Sequence, residues 1–267
     1  MVIQGSQAER IPPDAAREPM VSVRGVSRVH GSDTHRVLAL ERIDLEVAQG
    51  ELVCLVGASG CGKSTLLHMI AGLDRPTSGE LAVRGGQVAM LFQDAALFPW
   101  LSVAENVAFP LKMRGIKRAE RERRVAELLS MVRLQAFAQH RPHQLSGGMR
   151  QRTALARALA QEAKILLMDE PFGALDALIR DRLHDELERI WREAGLTIVF
   201  VTHSPREAVR LADRVLLMSS RPGRFVDEFE VDLPRPRRID SRAVSSIAAT
   251  ITDRLKEVIH ASDGNDD

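Results

Sequence analysis

The chain carries no excess of charge of either sign. Its 37 Lys and Arg stand against 36 Asp and Glu, a formal net charge of +1, so no global field argues for nucleic acid or an acidic surface as partner, and any basic patch must be local. Cysteine is scarce. Cys54, in an apolar run, and Cys61, in a glycine-rich loop, are too few for a disulfide framework, lack metal-site spacing, and suit a reducing compartment. Nowhere does an apolar run approach the ~18 residues needed to cross a bilayer, so membrane work would have to be done through a partner. Residues 1–19 hold Pro12, Pro13 and Pro19 among charged and small residues. They lack the apolar core of a secretory signal and read as a loose tail. Internal repeats and low-complexity tracts are absent.

What is present is enough for one large core. With 267 residues, 45% of them hydrophobic, the chain can bury a full interior with an inserted subdomain. Alternation at Val21 and Val23, and again at Ile43, Leu45 and Val47, predicts half-buried strands, and the unbroken apolar run over residues 52–56 predicts a fully buried one. After Gly57 the period changes: Leu66, Leu67 and Ile70 share a helical face that Gly72 ends. Between about residues 104 and 134 strand signals vanish, and Val125, Leu128, Leu129 and Val132 fall at helical spacing behind the charged stretch 117–124. That stretch reads first as a solvated face of an inserted helical subdomain. A helix from Gly147 through Ala160 follows, then a buried strand at residues 165–168, a helix at 176–194, strands at 197–201 and 215–218, and a last helix at 241–260. Buried strands alternating with helices imply an α/β fold with a mostly parallel central sheet and an N-terminal antiparallel β part.

The segment Gly57-Ala58-Ser59-Gly60-Cys61-Gly62-Lys63-Ser64-Thr65 matches the P-loop pattern, in which glycines let backbone N–H groups curl around phosphate and aim a helix N-terminus at it. A chance match somewhere in such a chain is about one in a hundred, and this one also follows a buried strand and opens a helix. Lys63 would reach the β- and γ-phosphates of ATP, and Ser64 would offer its hydroxyl to Mg2+. Asp169-Glu170 directly follows the strand at 165–168, where parallel sheets bind ligands. An acidic pair there is by itself usually a surface turn, but downstream of a P-loop it suits Asp169 to the magnesium and Glu170 to polarising the attacking water. Cys61 lies near a helix N-terminus, which could acidify its thiol and let oxidation block ATP, but a thiol without such a role is the weightier reading.

Leu145-Ser146-Gly147-Gly148-Met149-Arg150-Gln151-Arg152 resembles the signature motif of ABC transporter ATPases. Alone, Ser146-Gly147-Gly148 could be an N-cap and a turn; between a P-loop and an acidic strand end it carries the resemblance. Gln93 after Met90-Leu91-Phe92 looks like the Q-loop, Ala174-Leu175-Asp176 like the D-loop, and His203 after Val199-Phe200-Val201-Thr202 like the switch histidine. A lone glutamine or histidine at a strand end is more often structural, and it is the order and spacing that weigh here. The resemblance covers about residues 21–236, taken as the ATPase domain (20–236, helical subdomain about 94–160), with a C-terminal helix and polar tail at 237–267. In the family an aromatic residue, often tyrosine, precedes the first glycine. This chain has no tyrosine, and His30 before Gly31 takes that place, with a looser fit because of the insertion at residues 32–36.

The resemblance implies an ATPase that works in pairs. Two copies would meet head to tail, so that Ser146, Gly147 and Gly148 of one cover the ATP held by the P-loop of the other. Gln93 and His203 would sense the γ-phosphate, the attacking water and, for Gln93, the magnesium, while Asp176 passes the state across the interface. The region from Gln93 through Pro110, containing Phe98-Pro99-Trp100, resembles the groove for a membrane permease's coupling helix; core packing of both aromatics is the competing reading. Arg221-Pro222-Gly223-Arg224, the stretch Val231-Asp232-Leu233-Pro234-Arg235-Pro236, and Arg150 after the signature resemble ATPases of bacterial nitrate, taurine and aliphatic sulfonate importers. Such a subunit would sit peripherally on the cytoplasmic face of the inner membrane, with permease subunits and a substrate-binding protein as partners and no nucleic acid. A soluble ABC ATPase acting on DNA or ribosomes usually carries insertions or a second cassette not seen here. A scaffold with a dead site is disfavoured because Lys63, Asp169, Glu170 and His203 are all present.

Overall fold

The computed structural model of the chain describes residues 19–31, 36–173, 175–220 and 222–263. The expected tail before residue 19, most of the insertion at 32–36, Ala174, Arg221 and the last four residues lie outside the described residues. Two sheets form. The first is antiparallel, in the order β2-β1-β4, from β1 (Val21–His30), β2 (Val37–Val47) and β4 (Ser78–Val83). The second has six strands in the order β5-β6-β7-β3-β8-β9, from β3 (Leu52–Gly57), β5 (Val88–Leu91), β6 (Ile165–Asp169), β7 (Thr197–Thr202), β8 (Arg214–Met218) and β9 (Phe225–Glu230). Every pairing in it is parallel except β8 with β9.

The apolar run of β3 explains the layering. Side chains alternate across a strand, so Leu52, Cys54 and Val56 join one core while Val53 and Leu55 join another. Onto the second face packs α1 (Lys63–Ile70), whose Leu66, Leu67, Met69 and Ile70 are buried between the two sheets. At roughly 1.5–3 kcal/mol per fully buried aliphatic side chain, this short helix is held by packing, since eight residues are too few to be stable alone. The opposite face takes α5 (Ala177–Ala194), α6 (Pro205–Leu211) and α7 (Arg242–Asp263), through Leu187, Ile190, Val209, Leu211, Val244 and Ile251.

The helical part is built from α2 (Val103–Met113), α3 (Arg118–Met131) and α4 (Gly147–Leu159), with two short 3-10 turns between α3 and α4. Ser102 and Glu105 form a reciprocal capping box at the start of α2, a motif readable as Ser-x-x-Glu. The charged stretch before Val125 is a solvated face laced with i,i+4 pairs such as Arg118–Glu122 and Arg123–Glu127. The fully buried Asn106 side chain donates to the carbonyls of Phe98, Leu101 and Ser102 and accepts from Phe98 N–H, which fixes the loop leading into α2.

Candidate active site

After β3 the chain turns to the face that carries α1; after β7 it turns to the face that carries α6. Because β3 and β7 are neighbours, their C-terminal ends open a crevice at a topological switch point, the place where open α/β sheets bind ligands. Register puts the motif residues along its rim. Leu55, Val201 and Asp169 lie level across β3, β7 and β6; Leu91 of β5 is level with Met168. His203 follows Thr202 at the end of β7, Glu170 follows Asp169 at the end of β6, and Gln93 lies two residues past the end of β5.

The P-loop wraps the mouth of this crevice. Lys63 is buried, and its ammonium donates to the carbonyls of Gly57 at 2.8 Å and Ala58 at 2.9 Å. Gly62 caps α1 in the left-handed region at φ 97°, no side chain caps the helix, and no acid sits in its first turn, so its leading N–H groups face the loop as an anion site. A Cβ on Gly62 would lie 2.5 Å from Leu40 Cδ2. Gly223 is tighter still: a Cβ there would come within 2.0 Å of the Cys61 carbonyl, and its backbone pairs with Ala39 and Glu41 of β2. The β8–β9 turn thus props the P-loop from beneath, a role the sequence signalled only as one glycine in Arg221-Pro222-Gly223-Arg224.

Cys61 does not follow the acidified reading. Its side chain is fully buried, and burial pushes the thiol up; Lys63, 3.6 Å away, only partly opposes this. The helix N-terminus does not produce an exposed, acidified thiol here, because desolvation of the thiolate outweighs the nearby charge.

Glu170 leaves the end of β6 with φ 43°, a left-handed conformation uncommon outside glycine. Its N–H bonds to the Val201 carbonyl and its own carbonyl accepts from Gly173, so the backbone is fixed on both sides. Glu170 Oε2 lies 3.1 Å from His203 Nδ1, joining two residues 33 positions apart. Asp169 is half-buried at the strand end and Ser64 is exposed in the first turn of α1. Their oxygens suit a hard cation, which needs only one or two protein ligands, and among the described residues no cluster of three His, Cys, Asp or Glu competes as a metal site.

Gln93 is exposed, and Gln151 of α4, itself buried, donates to the Gln93 carbonyl at 2.8 Å. This anchor ties the loop after β5 to the signature helix and was not evident from sequence. Ser146 caps α4 by accepting from Met149 N–H at 3.3 Å. Gly147 and Gly148 press against the start of α5: their Cβ atoms would lie 3.2 Å from Leu175 Cδ2 and 2.5 Å from Ile179 Cγ2. Asp176 caps α5 through Ile179 N–H at 3.0 Å. The signature segment and Asp176 thus sit together at the start of two packed helices. His30 is exposed at the end of β1, opposite Val37.

Phe98 is half-buried between Trp100 and Phe109, with ring centroids at 5.6 and 4.7 Å, and Arg157 lies over its face at 5.6 Å. Trp100 is 66% exposed. The two aromatics therefore split between the readings open to the sequence, one packed and one presented.

Residues 40–173 match the ABC transporter family. The taurine import ATP-binding protein TauB of Burkholderia pseudomallei is 49% identical over 217 residues, covering 79% of this chain and 84% of that protein. The nitrate import ATP-binding protein NrtD of Synechocystis sp. is 46% identical over 221 residues, 80% of this chain and 83% of that one. Among solved structures, the dimer of MJ0796, a bacterial ABC transporter cassette, is similar with a TM-score of 0.71 at 34% identity, over 80% of this chain and 100% of that chain. A post-hydrolysis state of the same cassette bound to ADP and Pi gives the same values.

Proposed function

The chain belongs to the ABC transporter family of ATP-binding proteins, and from that premise we propose that it is the ATP-hydrolysing subunit of an importer for small anions of the nitrate, taurine or sulfonate kind. The observation that supports hydrolysis best is the 3.1 Å contact between Glu170 and His203 at the switch-point crevice, with a P-loop at the same sheet end whose Lys63 ammonium is held by the Gly57 and Ala58 carbonyls.

Residues 20–236 form the ATPase domain in this reading, with about 94–160 as the inserted subdomain and 237–267 as the C-terminal helix and tail. ATP phosphates lie on residues 57–65, where Lys63 exchanges its two carbonyl partners for phosphate oxygens. Glu170 accepts a proton from the attacking water, and His203, on its far side, holds the transferring phosphoryl group. Ser64, Asp169 and Gln93 would hold Mg2+, which when bound supplies charge neutralisation at the phosphates. His30 stacks on the base, an imidazole covering less area than a phenol ring.

Ser146, Gly147 and Gly148 sit at the start of α4, packed on α5, and we assign them to the ATP of a second copy. Asp176, at the head of α5, lies beside them on the same face. The presented Trp100, backed by Phe98 and Phe109, suits a permease's coupling segment, and a substrate-binding protein would deliver the solute outside. No helix among the described residues is long and apolar enough to cross a membrane, so the chain would hold to the cytoplasmic face through that permease. The import names of the relatives favour this over a soluble ATPase of DNA or ribosomes.

Isolation of the chain, tagged at its N-terminus, from mildly solubilised membranes tests the assignment. A multi-span membrane protein in stoichiometric amount is the expected partner. Recovery of only ribosomal or nucleic-acid partners would overturn the transport reading and leave the ATPase.

A further inference from the structure

Behind His203 lies a buried polar chain that the hydrolytic site does not use. The Glu207 carboxylate, in the first turn of α6, accepts from His184 Nε2 at 2.6 Å with one oxygen and from the Thr202 hydroxyl with the other. His184, Thr202 and Glu207 are all buried, His184 completely. Burial pushes the Glu207 carboxyl up, but the hydrogen bonds from His184 and Thr202, together with the nearby charges of His184 and Arg180, more than offset it and hold it below the usual carboxylate range. An ionised carboxylate can only accept, so the Thr202 hydroxyl must donate to it and keeps its lone pairs free. One of these accepts from Ser204 N–H at 3.0 Å. That bond spans His203. Ser204 in turn caps α6 by accepting from Glu207 N–H at 3.4 Å, so both neighbours of His203 are tied to the same carboxylate residue.

The other end of this polar chain reaches α5 and the segment after Glu170. His184 lies two turns into α5, the helix capped by Asp176. Its ring meets the edge of Phe172, two residues after Glu170, at 5.4 Å and 68°. A buried carboxylate is a poor way to add stability, because apolar residues of similar volume commonly do as well or better; its use points to fixing one geometry.

We propose that Glu207, held by His184, is a positioning residue that sets the Thr202–Ser204 turn and so aims His203 at the transferring phosphoryl group. Through His184 this aim depends on where α5 sits. The inference deepens the reading of His203 given above and rests on it.

The test is a double-mutant cycle on the full chain. Thr202→Val and Glu207→Gln are measured alone and combined with His203→Ala, following kcat, KM for ATP and Tm; slow variants are read as single turnovers of labelled ATP. Each single variant should lose kcat roughly tenfold, the scale of a slightly misplaced group, with KM unchanged within about twofold. On the His203→Ala background the same changes should cost less than about twofold, and Thr202→Ser should restore most of the activity. Equal losses in both backgrounds, or unchanged kcat in a folded single variant, would overturn the proposal. Should Thr202→Val fail to fold, the Glu207→Gln cycle decides alone. If His203→Ala itself leaves kcat intact, the reading of His203 fails and the inference falls with it. Loss in His203→Ala without loss in the other two rejects the positioning role only.

Discussion

Replacing Glu170 with Gln separates chemistry from structure at this site. Glutamine keeps the side chain's length and planar end, and both backbone bonds that fix residue 170, from its N–H to Val201 and from Gly173 to its carbonyl, are untouched. Among the described residues, the side-chain partner of Glu170 is His203, whose side chain is 62% exposed against 24% for Glu170. A pair so open to solvent contributes less than about 1 kcal/mol, so Tm should barely move. The carboxylate's proton affinity is what disappears. Loss of a general base costs roughly 10²–10⁴ in rate, or about 3 to 5 kcal/mol in the barrier. ATP binding, set by the P-loop, should stay within a small factor of the parent. Phosphate release at saturating Mg-ATP, an equilibrium titration with a fluorescent nucleotide, and a melting curve together read all three quantities. If Ser146, Gly147 and Gly148 cover the ATP of a second copy as proposed, the slowed variant should also hold an ATP-dependent dimer longer. Turnover within about threefold of the parent would refute the assignment of Glu170. A parallel loss of nucleotide binding would refute the claim that the residue acts on water alone.

Three further outcomes follow from the same geometry. Lys63→Ala removes the charge that Gly57 and Ala58 hold ready, and ATP affinity should fall roughly 10²-fold or more by nucleotide titration; retained affinity would count against the loop. Gly223→Ala forces a Cβ to 2.0 Å from the Cys61 carbonyl, so KM for ATP should rise several-fold and stability fall by about 1–3 kcal/mol, with an unchanged KM showing that the prop does not set the loop. His30→Tyr should tighten ATP binding through a larger stacking face, and unchanged affinity would mean that residue 30 does not meet the base.

Much of the parallel sheet could be read in advance because its strands are buried on both faces. The runs at 52–56, 165–168 and 197–201 are continuous and apolar, with little else they could form. The antiparallel strand Ser78–Val83 left no such trace: it is exposed or half-buried along its whole length and is held by pairing with β1 rather than by its own pattern. Strand Phe225–Glu230 was hidden for a similar reason, alternating half-buried and exposed at a sheet edge. Within the site, the local motifs were legible because each is a short string with fixed spacing. The contacts that brace them were not, since they join distant segments: Gln151 to Gln93, Gly223 to Cys61, His184 to Glu207. The two readings of Cys61 could not be separated in advance, because a helix N-terminus can be inferred from sequence, whereas complete burial of a thiol inside a glycine-rich loop cannot.

The central claim is that one chain holds only part of each ATP site, with the P-loop, Glu170 and His203 on one copy and Ser146-Gly147-Gly148 supplied by another. Phosphate release per chain, followed at saturating Mg-ATP over a wide range of protein concentration, tests it most directly. Specific activity should climb with concentration and level off as pairs form. Constant specific activity down to the most dilute sample, with the chain shown to be monomeric there, would mean that a single copy completes the site and would contradict the account.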